Sequence, residues 1–385
     1  MKRVEIADDF YMTTIGVTGA AGFIGSHLVE FLRRNKENVI ALDKEEFDDT
    51  TKLQTLLLQC DVIVHLAGVN RGTPEEVYTG NVALANQLVQ TLETIRKTPF
   101  LIFSSSTQID LENEYGRSKR DAAKILAQWA KKNGARFLTL VISNVYGDRC
   151  KPFYNSVVAT FCYQLLHNQE PQIKEDREIE LIHVNNLTNV FYKAINDNKN
   201  KEVNYDSGCE IRVPCDKKIS VSLLLSLLQR FKALREKGII PDLFDPFERN
   251  LYTVFDSYAD GKLREYHPVI RADPRGELFE TIKFEKAGQL FFSTTKPGHI
   301  RGEHYHSRKL EKFFVLKGDA IIRMRNPDTA ELIEYHITGP ACIDIPVFWP
   351  HNIENVGTEE LYTLFWAADI FDQEADTYPE KVKKD

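Results

Sequence analysis

In the N-terminal part of the chain, short wholly apolar runs alternate with amphipathic stretches of helical period. The runs are Ile15 to Val17, Val39 to Leu42, Val62 to Leu66, Phe100 to Phe103 and Phe137 to Ile142. Strands that are apolar on both faces need helices above and below, so the pattern predicts an α/β Rossmann-like, doubly wound parallel sheet. Helices are predicted from Ser26 to Arg34 and from Thr51 to Gln59, with room between Asp43 and Asp61 for only a short third strand near Phe47-Asp48. Asp48 would cap the second of these helices or reach an adenine amino group. Leu and Phe keep helical spacing from Ser220 to Arg235, and the stretch from Gly238 to Pro246 breaks it. Beyond His267 the period changes: Gly288 to Thr294, Phe313 to Leu316, Ala320 to Arg325 and Leu361 to Trp366 read as short strands between turns. An antiparallel all-β barrel or jelly roll follows from that spacing. The expected organisation is an α/β domain over residues 1–267 and an all-β domain over residues 268–385.

The chain has 385 residues, above the ~250–300 at which one core stops growing, which agrees with two domains. A net charge of −7 offers no basic footprint for nucleic acid and points to small molecules or protein as partners. The six cysteines form no C-x-x-C pair, so neither a disulfide framework nor a thiolate zinc site is indicated, and a reducing cytoplasm fits. Met1 to Thr14 carries acidic residues and lacks the apolar core of a signal peptide, and no later run approaches the ~18 apolar residues of a membrane span. The expectation is a cytoplasmic protein with a short leader and no membrane association.

Two constellations carry chemistry. The first is Thr18-Gly19-Ala20-Ala21-Gly22-Phe23-Ile24-Gly25, set between an apolar run and an amphipathic one. Glycine at 19 and 22 lets the backbone turn sharply and approach a pyrophosphate, and Gly25 lets the following helix pack close to the sheet. Asp43 ends the next strand 24 positions after Gly19, where a ribose-binding carboxylate is expected. Tyr115 and Lys119 share a helix face, so the ammonium can lower the phenol pKa from ~10 towards neutrality and make it a general acid or base. Ser106, with Ser105 as the alternative, would hydrogen-bond the reacting oxygen at the end of its strand.

The second constellation is Gly298, His304, His306, Glu311 and Gly318, followed by His351 and Asn355. Alternation along a strand lets His304 and His306 face one interior point. Glu311 and His351, arriving from neighbouring strands, complete a set of three imidazoles and one carboxylate suited to a divalent metal with open positions, zinc being the expected ion. Such a site can stabilise the enolate formed when a proton beside a ketone is removed. The base for that step is open among Glu303, Lys312, His299 and His336.

These residues carry family resemblances. The glycine loop, His65-Leu66-Ala67-Gly68, Gly80-Asn81-Val82, Ser104-Ser105-Ser106 and Tyr115-Gly116-Arg117-Ser118-Lys119 stand in the order and spacing of extended short-chain dehydrogenases/reductases that act on nucleotide sugars. The motif from Gly298 to Gly318 resembles the first cupin motif at every defining position, whereas the second departs from it, with Phe348 where a glycine usually stands. From Met12 onward the chain resembles the CapF-type bifunctional reductase/epimerases. The segments from His65 to Arg71, Asn155 to Tyr163 and His351 to Asn355 are more specific to that family than the general motifs.

The resemblance implies that the cupin domain epimerises carbon 3 of a UDP-linked 4-keto-6-deoxy-N-acetylhexosamine. The dehydrogenase domain then reduces the 4-ketone with NADPH to UDP-N-acetyl-6-deoxy-L-talosamine, a precursor of N-acetyl-L-fucosamine for capsules and O-antigens. It implies cofactor binding by Gly19, Gly22, Phe23, Ile24, Gly25, Asp43, Lys44, Leu66, Ala67, Gly68 and Asn81, and catalysis by Tyr115, Lys119 and Ser106. Substrate binding falls to Arg71, Asn144, Asn155 and Arg177, and metal binding to His304, His306, Glu311 and His351. Asn186 replaces the usual acidic residue of the returning strand and helix. The family favours NADP(H) while Asp43 favours NAD(H), so both are expected to be used, with Lys44, Arg33 and Arg34 as candidate partners of a 2′-phosphate. A homodimer is expected, through the helix from Tyr115 to Lys131, the cupin sheet, or both. The alternative is an NAD(P)-dependent sugar-nucleotide reductase whose cupin half only dimerises or senses a ligand. A dinucleotide-sensing regulator ranks last because both Tyr115 and Lys119 are present.

Overall fold

The structure, a computed structural model, describes residues 13–200, 205, 209–259, 261–370 and 376–383, and the leader as far as Met12 lies outside them. Two compact units emerge. The first joins Met1–Gln164 to Glu170–Leu225, and the second joins Leu165–Gln169 to Ser226–Asp385.

The first unit runs β1 (Thr14–Thr18), α1 (Phe23–Arg34), β2 (Asn38–Leu42), α2 (Lys44–Asp48), α3 (Thr50–Leu58), β3 (Val62–His65), α4 (Pro74–Ile95) and β4 (Phe100–Ser106). It continues with α5 (Glu114–Asn133), β5 (Phe137–Ile142), β6 (Asn144–Tyr146), α6 (Val157–Leu166), β7 (Glu178–His183), α7 (Val184–Lys199), β8 (Cys209–Arg212) and β9 (Lys217–Ser220). A six-stranded parallel sheet has the order β2-β1-β3-β4-β5-β8, and β6, β7 and β9 form a small separate sheet.

Successive residues of the central strands go to opposite cores, as a sheet covered on both faces requires. Val62, Val64 and Ile102 join Leu28, Leu32, Phe191 and Ile195 of α1 and α7. Ile63, Leu101 and Phe103 join Leu88, Leu92, Leu126 and Trp129 of α4 and α5. Burial of each such side chain contributes about 1.5–3 kcal/mol.

The third strand expected near Phe47-Asp48 does not form. Those residues close α2, because the Asp43 N–H donates to Glu46 Oε2 at 2.8 Å and winds the first turn. Phe47 is buried with Leu53 and Leu57, so its apolar character serves a helix face. Asp49, not Asp48, caps α3: its Oδ1 accepts from Lys52 N at 3.0 Å. β2 is thereby the edge strand. α1 starts at Phe23, earlier than Ser26, with Gly22 as its N-cap.

In the second unit α8 (Val221–Glu236), which begins in the first unit, leads to β10 (Ile239–Ile240) and α9 (Pro246–Ser257). Then follow β11 (Arg271–Asp273), β12 (Gly276–Phe284), β13 (Gln289–Thr295), β14 (Ile300–Tyr305), β15 (Glu311–Lys317) and β16 (Asp319–Arg325). The last strands are β17 (Leu332–Thr338), β18 (Ala341–Ile345), β19 (His351–Asn355), β20 (Leu361–Ala367) and β21 (Tyr378–Pro379). One sheet has the order β10-β12-β13-β20-β15-β18 with β11 on β12, and the other the order β17-β16-β19-β14-β21. Phe313, Val315, Ile322, Met324, Ile353 and Leu361 fill the space between them.

The stretch from Ser226 to His267, which the sequence pattern assigns to the first domain, groups by contact with the second unit. β10 pairs with β12, Ile239 opposite Lys283, and Arg230 donates to both Glu285 carboxylate oxygens at 3.0 and 3.1 Å.

The glycine loop sets a tight packing limit in the first unit. A Cβ on Gly25 would lie 2.1 Å from the Gly19 carbonyl oxygen and 2.9 Å from Ala20 Cα. Overpacking of this kind costs about 1–3 kcal/mol. Gly25→Ala is therefore expected to lower the urea midpoint at unchanged m-value, and an unaltered midpoint would show that this contact yields freely.

Candidate active sites

β1 delivers the chain into the loop at Thr18, and Gly19 turns it with φ +68°, a left-handed conformation that glycine adopts without strain. A Cβ there would stand 2.8 Å from Ala67 N, so the loops after β1 and β3 touch backbone to backbone. Thr18 fastens them: its Oγ1 lies 2.8 Å from His65 Nδ1 and accepts from Ala67 N at 3.2 Å, while its carbonyl accepts from Leu66 N at 3.2 Å. Burial pushes the His65 pKa down to about 3, so this ring stays neutral. Gly22 caps α1 without a side chain, and the first turn holds no acidic residue, which leaves backbone N–H groups to an anion.

Asp43 turns towards this loop, its two carboxylate oxygens lying 2.9 and 3.0 Å from Ala21 N. A cleft of 580 Å³ opens beside it, lined by Ala20, Ala21, Val29, Arg33, Arg34 and Asp43 among others. Arg34 is ion-paired with Glu30, and Arg33 and Lys44 are exposed. Phe23 and Ile24 form the start of α1, with Ile24 packed against the core. Asn81 is buried: its Oδ1 accepts from Val69 N at 3.0 Å and its Nδ2 donates to Val69 O at 2.7 Å and Val77 O at 2.9 Å. Its amide thus holds the loop that follows Gly68.

Tyr115 and Lys119 lie on α5, which Asn113 caps by accepting from Gly116 N at 2.7 Å. Lys119 Nζ donates to Ser104 O at 3.1 Å and stands 5.9 Å from the Tyr115 ring centroid. A side chain on Gly68 would meet Lys119 Nζ at 3.3 Å and Asn81 Oδ1 at 2.9 Å, so the loop after β3 touches both the glycine loop and this pair. Burial pushes the Tyr115 phenol above its ordinary value, opposite to the expected lowering, because the ammonium donates to a carbonyl and not to the phenol. Burial also lowers Lys119 to about 8. Ser106 Oγ accepts from Gln108 N at 3.2 Å, which leaves its hydroxyl proton to donate, whereas Ser105 Oγ is buried without a partner.

Among the proposed substrate residues, Arg71 lies 4.3 Å from the Tyr154 ring centroid and donates to the carbonyls of Phe153 and Tyr154. Tyr154 OH donates to Asn70 Oδ1 at 2.7 Å, and Asn155 Nδ2 reaches Asn70 O at 3.5 Å, so these residues clamp two loops together. Asn144 is turned elsewhere, donating to Glu180 O at 3.1 Å, and Arg177 is exposed.

In the second unit His304, His306, Glu311 and His351 converge, their candidate ligand atoms all within 4.8 Å of one another. A bulge at Gly302–His304, with Glu303 at φ +63°, sets the direction of the H-x-H segment. Glu311 Oε2 lies 3.2 Å from both His306 Nε2 and His351 Nε2, and these three buried atoms have no hydrogen-bond partner. The opposite ring nitrogens are occupied: His351 Nδ1 donates to Trp349 O at 2.9 Å and His306 Nδ1 donates to Asp376 O. Carbonyls only accept, so both rings carry their proton on Nδ1 and aim a bare Nε2 inward. Burial, then neighbouring His351, lowers His304 to about 4, which keeps that ring neutral too. Unpaired lone pairs gathered around a buried carboxylate fit a divalent cation, and the donor set suits zinc.

Phe348 has φ +65°, which explains why a glycine usually stands there. Asn355 serves the scaffold, donating to Thr295 O at 2.6 Å and Glu359 O at 2.8 Å. Of the candidate bases, Glu303 accepts from Asn352 Nδ2 and Val382 N, both at 2.7 Å, and Lys312 pairs with Asp344 at 2.8 Å. His299 is half-buried with its Nδ1 3.1 Å from Pro297 O, and His336 is exposed. Sequence reasoning missed Lys309, buried with Nζ 4.0 Å from Glu311 Oε1. Its spacing of two from Glu311 was the available signal.

A protein of Pseudomonas aeruginosa named UDP-2-acetamido-2,6-beta-L-arabino-hexul-4-ose reductase is 33% identical over 94% of this chain and 97% of its own length. The chain belongs to the CapF-type family. Residues 15–206 match the NAD dependent epimerase/dehydratase family and residues 271–378 the polysaccharide biosynthesis C-terminal domain. The crystal structure of the capsular polysaccharide assembling protein CapF from Staphylococcus aureus superposes with a TM-score of 0.82 at 33% identity, covering 95% of this chain and 99% of that one. UDP-glucose 4-epimerase from Thermotoga maritima, at 19% identity and a TM-score of 0.54 over 64% of this chain and 98% of that one, shares the fold of part of the chain. The CapF-type architecture therefore joins an extended short-chain dehydrogenase/reductase to a cupin.

Adding Zn²⁺ to chelator-stripped protein at about 100 times its Kd is expected to stabilise the unit that binds it by about 2.7 kcal/mol. His351→Ala should abolish that gain in calorimetry. An equal gain in the variant would show that the ion binds elsewhere.

Proposed function

We propose that this chain is a bifunctional nucleotide-sugar enzyme of capsule or O-antigen synthesis, a cytoplasmic homodimer in which the two units carry separate steps. The cupin unit epimerises carbon 3 of a UDP-4-keto-6-deoxy-N-acetylhexosamine. The dehydrogenase unit reduces the 4-ketone to UDP-N-acetyl-6-deoxy-L-talosamine. The observation that carries the reading is the near full-length likeness to a UDP-hexul-4-ose reductase, joined to intact residue sets in both units.

In the dehydrogenase unit NADPH, when bound, supplies hydride to carbon 4. Tyr115 gives its phenolic proton to the carbonyl oxygen, and its raised pKa keeps that proton on at neutral pH. Ser106, whose oxygen already accepts from Gln108 N, donates its hydroxyl to the same oxygen. Lys119, positively charged below about pH 8, stabilises negative charge on the phenol after transfer. The backbone N–H groups at the start of α1 receive the pyrophosphate. Arg71, Asn144, Asn155 and Arg177 are assigned to the substrate.

Carbon 3 is adjacent to the ketone, so its proton is acidic once the neighbouring oxygen is polarised. The ion held by His304, His306, Glu311 and His351 would supply that polarisation. His306 and His351 are buried, which lowers the local dielectric around the reacting carbon. A proton then leaves carbon 3 from one face and is returned to the other, with no net redox change.

Tyr115→Phe is expected to lower reduction by about 10²–10⁴-fold, because it deletes the proton donor alone. Deuterium exchange from D₂O into the keto-sugar without NADPH should persist in that variant. Equal loss of both activities would count against two separate sites, and absence of exchange in the wild type would favour a non-catalytic cupin.

Asp43, assigned to the ribose, accepts from Ala21 N, and Arg33 and Arg34 line the same cleft. Charge at this end is therefore mixed. NADPH should be used and NADH accepted within about tenfold in kcat/KM, equivalent to ~1.4 kcal/mol. A preference for NADPH of about a hundredfold or more, ~2.7 kcal/mol, would show that Asp43 does not face the ribose.

A further inference from the structure

The final described segment is fastened to the strand that carries His304 and leads into His306. β21 pairs with the end of β14, His304 opposite Pro379 and Tyr305 opposite Tyr378, and the two tyrosine rings stack at 5.1 Å. Glu380 N donates to Glu303 O at 2.9 Å, Val382 N to Glu303 Oε2 at 2.7 Å, and Arg325 Nε to Val382 O at 3.1 Å.

Asp376 opens this strap and makes its closest connection to the site. Its carboxylate accepts from the N–H groups of Ser307 at 2.8 Å, Arg308 at 3.0 Å and Lys309 at 2.7 Å, and from the Ser307 hydroxyl. Its own carbonyl oxygen accepts from His306 Nδ1. One residue thus grips the turn that follows His306 with its side chain and the ring of His306 with its backbone. Its φ of +57° is a left-handed conformation that Asp and Asn tolerate better than other residues with a Cβ.

A neutral imidazole has one N–H to place. With the Asp376 carbonyl against Nδ1, the proton stays there and Nε2 offers its lone pair to the centre. If the turn were released, the ring could take the other tautomer, with a hydrogen aimed at the remaining donors. The geometry points to Asp376 as a positioning residue for the metal centre: by clamping residues 307–309 it holds a carbonyl on His306 and keeps Nε2 open as a ligand. This inference rests on the reading of His304, His306, Glu311 and His351 as a metal site.

The test uses the full chain stripped with chelator and titrated with Co²⁺ against a competing chelator, its visible absorption reporting the bound ion. Asp376→Asn keeps the left-handed backbone and one acceptor oxygen but loses the charge, and should bind Co²⁺ about 10–100-fold more weakly, as loss of a partner behind a ligand does. Asp376→Ala should lose more, and the Asn variant still decides the matter should Ala fail to fold. Histidine-labelled ¹⁵N spectra of the chelated proteins add a readout that general destabilisation would not mimic. His306, identified by its absence in His306→Ala, should be the Nδ1–H tautomer in the wild type and a mixture in Asp376→Asn. Equal Co²⁺ affinity, or an unchanged His306 tautomer, would overturn the role of Asp376. Failure of the wild type itself to take up Co²⁺ would instead overturn the metal reading on which it stands.

Discussion

The close approach of the Gly19 loop to the backbone of Ala67 governs the dehydrogenase unit. No side chain fits between them, since a Cβ on Gly19 would come within 2.8 Å of Ala67 N. The Thr18 hydroxyl and carbonyl lock the loop after β3 at this distance. Everything that touches the dinucleotide loop inherits the same setting. Asn81 fixes the stretch past Gly68, and Gly68 abuts Lys119, so the tyrosine and lysine of α5 are registered against the cradle through a short chain of backbone contacts.

The cupin unit solves a different problem, that of gathering unpaired polar atoms in a dry interior. A buried carboxylate flanked by imidazoles is costly unless something binds their inward-facing lone pairs. Backbone carbonyls behind His306 and His351 fix the tautomers, and the bulge at Gly302–His304 aims the first of the three rings. The resulting geometry suits a cation because His306 Nε2, His351 Nε2 and Glu311 Oε2 are buried without a hydrogen-bond partner. The pKa direction of His304 agrees: burial keeps that ring neutral.

Tyr115 and Lys119 show how burial and pairing compete. Proximity of a lysine ordinarily favours phenolate, yet here desolvation raises Tyr115 and lowers Lys119, while the ammonium donates to the Ser104 carbonyl. A phenol that keeps its proton suits delivery of that proton to a ketone. The same physical setting would serve an oxidation poorly.

The sequence by itself determined the parts that depend on local spacing. Apolar runs of strand length, the period of α1 and α5, the glycine positions and the intervals between His304, His306, Glu311 and His351 all follow from geometry within an element or between adjacent ones. They sufficed for the doubly wound sheet, the β-rich second half and both residue constellations. Tertiary structure decided the rest. Phe47 is apolar in a short window, and its burial against Leu53 and Leu57 joins the Asp43–Glu46 capping pair in making α2 a helix and not a strand. The packing of Arg230 and β10 on the β12–β13 hairpin places residues after Ser226 in the second unit, a long-range pairing that no local period encodes. The direction of the Tyr115 shift depends on which acceptor Lys119 finds, and the hold of Asp376 on the turn after His306 spans some seventy residues, with |i−j| of 67 to 70. Spacing reports which side chains share a face, but hydrogen-bond partners and burial exist only once distant segments have met.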